Sequence, residues 1–177
     1  MQNIFKIIIL GLIIISQLSG VYVPKAYGQT SINANATAHV ISALTATELA
    51  QLNFGRFSPE TQGGKVILTP EGIRTAQGTV VLGGGAANSA SFYLTGEYEA
   101  TFSISLPSGP ATLTNALNAK TMQVTDWQSN PAPGIGIGKL TGGGMTVQVG
   151  AVLNVGDMNA NPVGIYTGIY AITFSYN

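Results

Sequence analysis

The sequence contains no cysteine. A fold built from it is held without disulfides, and no lipid can be attached through an N-terminal cysteine. Histidine is almost as scarce: His39 is the sole one, so any Ser–His–Asp arrangement would have to use it. His39 falls on the polar face of a strand-like run with no acid nearby in sequence, which reads as a solvated side chain. Charge is sparse too, with charged residues only 8% of the chain. No basic patch exists, which argues against nucleic acid and anionic lipid as partners. Helical periodicity is nearly missing; "LTATELAQL" (Leu44 to Leu52) is the one stretch with room for a helical turn, and its flanks argue against it.

What is present begins with an export pattern. Lys6 precedes a long apolar run, and "AYG" (Ala26 to Gly28) offers small residues at the −3 and −1 positions of a signal-peptidase site. Residues 1–28 therefore read as a signal peptide cleaved after Gly28. The alternative is a retained anchor, since Ile4 to Val23 nearly has the length to span a bilayer. Residues 29–177 then form one domain. That domain holds five bases (Arg56, Lys65, Arg74, Lys120, Lys139) against seven acids, a formal net charge of −2. A weakly charged surface rich in Gly, Thr, Ser, Ala and Asn suits a filament or surface layer, where repulsion between copies would oppose packing.

Alternation of period two dominates the rest. "YEATFSISL" places Tyr98, Ala100, Phe102, Ile104 and Leu106 on one face. "MTVQVGAVLNV" places Met145, Val147, Val149, Ala151, Leu153 and Val155 inward, and "YAITFSY" does the same for Tyr170, Ile172, Phe174 and Tyr176. Shorter candidate strands are "ATAHVISAL", "LNFGRF", "KVILT", "GTVVL", "ASFYLTG" and "TMQVTDW". Between them lies turn chemistry such as "PETQGG", "TPEG", "GGGAANS", "NPAPG" and "MNANPVG". Many short strands with these punctuations predict an all-β, immunoglobulin-like β-sandwich. The aromatics of the last strand are expected in its core, each worth about 1.5–3 kcal/mol when fully buried.

Other chemistry is weaker. Glu97 and Glu99 fall on one strand face, and Asp126 and Asp157 near turns, as solvated carboxylates do. The runs "GIGIGK", "GGG" at Gly83 and "GGG" at Gly142 fail as phosphate loops, because Lys139 is followed by Leu140 and no helix; loop and hairpin duty is expected of them. No catalytic residue, cofactor or metal is expected. Trp127, beside "QSNPAPG", is the candidate ligand contact.

Several motifs carry a family resemblance. "LNFGRFSP" (Leu52 to Pro59) resembles the L-x-F-G-x-[YF] signature of spore-coat-U-type and archaic chaperone–usher pilin domains. The order of "GGKVILTPEG", "ASFYLTGEYEATFSISLP", "MQVTDW", "VGAVLNV" and "VGIYTGIYAITFSYN" is similar to the secreted family called DUF4402. The motif residues are Leu52, Phe54, Gly55, Phe92, Leu94, Tyr166, Gly168, Tyr170, Phe174 and Tyr176. Spore-coat-U-type pilins carry a disulfide near their first strand, which this chain cannot form, so DUF4402 is the closer match. The resemblance implies a secreted, pilin-like subunit on a bacterial surface, assembled by β-strand pairing with itself or other envelope subunits. It also implies a periplasmic chaperone that pairs with the terminal strand. "TSINANATAHV" is then a candidate donor strand, with Ile32, Ala34, Ala36, Ala38 and Val40 alternating with polar residues. The alternatives are that this run is simply the first strand of its own sandwich, and that the protein is a secreted carbohydrate- or ligand-binding module.

Overall fold

A computed structural model describes Lys25 and residues 27–177. The expected signal segment, apart from those residues of it, lies outside the described residues. The chain divides into two compact units, residues 1–39 and residues 40–177. Of the first unit, the described residues are exposed and carry no strand or helix.

The second unit is all-β, in the manner the alternation dictates. Its strands are β1 (Thr45–Ala50), β2 (Phe57–Leu68), β3 (Arg74–Leu82), β4 (Ala90–Thr95), β5 (Thr101–Ser105), β6 (Ala111–Asn115), β7 (Thr121–Asn130), β8 (Gly134–Lys139), β9 (Gly144–Val155), β10 (Tyr166–Thr167) and β11 (Thr173–Tyr176). A single 3-10 turn, Thr141–Gly143, is the one helical element among the described residues.

The larger sheet runs β1-β4-β9-β7-β6-β10, all antiparallel. The long strand β9 organises it. Its first half pairs with β4, its second half with β2, and β3 continues outward from β2. The smaller sheet is β11-β5-β8. The inward face of β9 is where the sequence places it: Val147, Val149, Ala151, Leu153 and Val155 are all buried.

The core has two centres. One gathers Phe54, Val66, Leu68, Met122, Val124 and Leu153 between β2 and β7. The other gathers Leu94, Phe102, Ile104, Leu140, Val147 and Val149 between β4, β5 and β9. Leu52 and Trp127 are partly buried against both.

Several expectations are corrected. "GIGIGK" is not a loop but the edge strand β8. A Cβ at Gly138 would overlap the ring of Phe102, and Gly136 takes the left-handed conformation at φ 67°. "PETQGG" is not a free turn; it lies inside β2, whose register with β3 breaks between Pro59 and Gly64. "ATLTN" is a strand, β6, that polar alternation on a short run did not signal. "ATAHVISAL" stays outside any strand, and the first strand lies instead in "TATELA". Glu97 and Glu99 do not share a strand face, because both sit in the β4–β5 loop, where Glu99 has φ 59°.

Candidate functional site

The terminal run is not one continuous strand. Tyr166 and Thr167 pair with Asn115 and Thr114 of β6, while Thr173 to Tyr176 pair with Ser105 to Phe102 of β5. Residues 168–172 cross from one sheet to the other without joining either. The side chains keep their period all the same: Tyr170, Ile172, Phe174 and Tyr176 are partly buried, and Ala171, Thr173 and Ser175 are exposed. Across from this run lies the stretch from β1 to the start of β2. β1 pairs only with β4, so its outer edge is unpaired among the described residues. β10 and β11 likewise have a partner on one side only.

Between these two unpaired edges opens a groove of about 1370 Å³. One wall runs from Ala46 to Pro59 and the other from Met158 to Phe174. Its floor is the core itself, for Phe54, Met122, Val124 and Leu153 are buried residues that line it. Its rim is apolar and wet: Val163 is fully exposed, Ile165 is 80% exposed and Ile169 92%. A sandwich normally covers such a floor, and an open apolar patch of this kind marks an interaction surface. Unpaired strand edges on both sides offer main-chain donors and acceptors as well.

The motif residues meet around this groove. Leu52 joins the two core centres, and Phe54 fills one of them. Gly55 takes the left-handed conformation at φ 71° and lies against Arg74, whose guanidinium donates to Phe54 O (3.0 Å) and Gly83 O (2.8 Å). Arg74 thereby ties the wall at residues 54–56 to β3 and its following turn. Phe92 meets Phe174 at 6.0 Å between ring centres, and Phe174 meets Phe102 edge-on at 6.3 Å. Leu94 is wholly buried behind them. Tyr166 donates to Pro162 O (2.9 Å), which fixes the turn before β10.

Trp127 is not an exposed loop residue. A bulge in β7 between Thr125 and Gln128, with Asp126 at φ 51°, shifts the side-chain alternation by one. Met122 and Val124 point inward before it, and Trp127 and Ser129 after it. The indole stacks on Tyr170, with ring centres 4.7 Å apart, and its Nε1 donates to Gly109 O. The expected ligand contact therefore lies on the groove's floor with its face against Tyr170.

Tyr170 itself is costly. Its hydroxyl is buried with no hydrogen-bond partner among the described residues. Burial, reinforced by the nearby Glu48 carboxylate, pushes its pKa up to about 12. The unfolded chain thus releases this proton first as pH rises, so the neutral phenol's contribution is complete below about pH 10 and is lost by about pH 12. Tyr170→Phe removes the orphan hydroxyl. It should raise stability by roughly 1 kcal/mol at neutral pH and flatten the loss between pH 10 and 12, as read by denaturant titration across that range.

Lys139 pairs with Glu99 at 2.5 Å and holds that carboxyl below its ordinary pKa. His39 is exposed. No group of three or more His, Cys, Asp or Glu side chains that could hold a metal occurs among the described residues.

The model of one family, described as a domain of unknown function (DUF4402), matches residues 44–176. The chain belongs to the DUF4402 family. No curated protein matches it. The DUF4402 match covers both core centres and both groove walls, and begins at Leu44, after the candidate donor run. That run is exposed throughout, with Ile32 at 88% and Val40 at 91%. Ile32, Ala34, Ala36, Ala38 and Val40 take part in no strand.

Three groups at the site escaped the sequence reading. Arg74 reads as an ordinary strand cation. Val163, Ile165 and Ile169 look like loop filler, though their odd-numbered spacing in "VGIYTGI" carries the signal of an outward face. Ser42 and Glu97 meet Tyr176 only in three dimensions, and nothing in their local sequence marks them.

Proposed function

We propose that this DUF4402 protein is an exported, non-catalytic structural subunit of a bacterial surface assembly. In this reading it is an immunoglobulin-like sandwich left one strand short and completed by a β-strand from a neighbouring subunit. The single observation that carries the reading is the groove whose floor is core and whose two walls each include a strand with one unpaired edge, β1 on one side and β10 and β11 on the other.

The occupant is the run from Thr30 to Val40 of a second copy. It contains no charged residue, so it brings no unpaired charge onto an apolar floor. Its apolar residues alternate, so one face fills the groove while the main chain pairs with the edges. Its three central alanines suit a groove whose middle is occupied by the Trp127–Tyr170 stack. During export a periplasmic chaperone would cover the same edges until a subunit arrives.

The chain from Gln29 to Asn177, examined by electron microscopy and sedimentation over a concentration series, is expected to form concentration-dependent polymers. A folded species that stays monomeric at every concentration would overturn the reading. Glycan binding by that monomer would point instead to a ligand-binding module.

A further inference from the structure

The groove has one open end and one closed end. At the open end Val163 is fully exposed and Pro59 begins the irregular part of β2. At the other end the walls finish at Ala46 and Phe174, and just beyond them they are bolted together. The hydroxyl of Tyr176 donates to Ser42 O at 3.0 Å and accepts from Glu97 N at 2.6 Å. The carboxylate of Glu97 accepts from Ser42 N at 2.9 Å. Both main-chain polar groups of Ser42 are therefore taken, one by β11 and one by the β4–β5 loop.

A strand entering this groove has a register problem. Sliding by two residues keeps the same face inward. Along Ala34, Ala36 and Ala38 such a slide exchanges alanine for alanine, so these three side chains distinguish neighbouring registers weakly and only Ile32 and Val40 at the ends of the run change place with a different residue. Main-chain pairing with the edges distinguishes them no better, because it repeats at the same period. Something at an end must stop the slide.

We infer that the Tyr176–Ser42–Glu97 junction is the end-stop of the groove and fixes the register of the strand it accepts. This rests on the strand-accepting reading above. Tyr176 is a positioning residue here: it blocks the path past Phe174 and leaves the inserted strand no further position to occupy. The junction also explains why β11 must stay in pairing register right up to Tyr176.

The chain has no cysteine, so disulfide trapping reports designed pairs only. The probe is a synthetic peptide of residues 29–41 carrying one cysteine, moved along positions 32 to 40. It is offered in excess to the Gln29–Asn177 chain bearing Ala46→Cys. One peptide position should dominate the trapped product. With Tyr176→Phe or Glu97→Ala added, trapping should spread to a second position two residues away, in the one direction that carries the strand past the junction, with the melting curve confirming a folded protein. If Tyr176→Phe fails to fold, Glu97→Ala gives the reading. Retention of a single dominant position in the folded variants overturns the end-stop, as does an even spread in the parent. If the peptide is trapped in neither parent nor variants, no such strand enters the groove, and the strand-accepting reading falls together with the end-stop.

Discussion

Removing Gln29 to Ala38 from the exported chain is expected to abolish polymer formation and to leave the melting temperature within about 2 °C of the parent. The second half follows from where the core lies. Both core centres, and every partly buried residue packed on them, begin at Leu44 or later. Residues 29–38 are exposed and belong to no strand, and changes at such positions typically alter stability by no more than about 0.5 kcal/mol. A fall of the melting temperature by ten degrees or more would mean that these residues complete their own sandwich.

The first half follows from magnitudes. Ile32 and Val40 supply about 1.5–3 kcal/mol each when fully buried, and the alanines less. Association costs about 4–15 kcal/mol, and ordering each backbone residue about 1–2 kcal/mol more. Apolar burial along this run cannot offset those costs alone. The main-chain bonds to two unpaired edges, at about 0.5–1.5 kcal/mol each, must supply the remainder. Assembly should therefore be reversible on dilution in the intact chain and vanish when the run is removed. Analytical ultracentrifugation of both forms, over the same concentrations, measures this directly. A truncated chain that polymerises like the parent would place the contact elsewhere.

The all-β class was legible because it depends on a property printed in the chain, the period of the side chains. β9 is the clearest case: five of the six residues assigned inward are buried, and Met145 at its start is partly so. Trp127 was not legible, because its direction is set by a bulge. A single left-handed residue at Asp126 inverts the alternation after it, and nothing local to "TDWQ" announces that. The glycine run at Gly134 misled for a related reason. Its composition reports flexibility, whereas Gly138 leaves the space needed by Phe102 from another strand. The groove needed both walls, and these come from residues 46–59 and 158–174, far apart in sequence. Some of the residues that line it, Leu52, Phe54, Tyr170 and Phe174 among them, were visible beforehand as a family motif.

The heaviest loss of stability is expected from Phe102→Ala. Phe102 is fully buried, and its ring lies in the space that Gly138 leaves open. Removing a buried phenylalanine typically costs about 3–5 kcal/mol, because the cavity left behind relaxes only in part. Against a total near 5–15 kcal/mol that is a large share, and the melting temperature should fall by on the order of 10 °C or more. The effect should reach the groove as well. Phe102 supports Phe174, which supports Phe92, so the three rings connect β5, β11 and β4. The smaller sheet has only three strands, and sheets of that size depend on packing rather than on their ladders. With the Phe102 ring gone, β11 loses the side chain that seats Phe174 in the groove wall, and polymer formation should weaken even at temperatures where the variant stays folded. Ile135→Ala is the control: that side chain is 87% exposed on β8, and its loss should change stability by no more than about 0.5 kcal/mol. Equal effects of the two substitutions in thermal melts would contradict the core assigned to the smaller sheet.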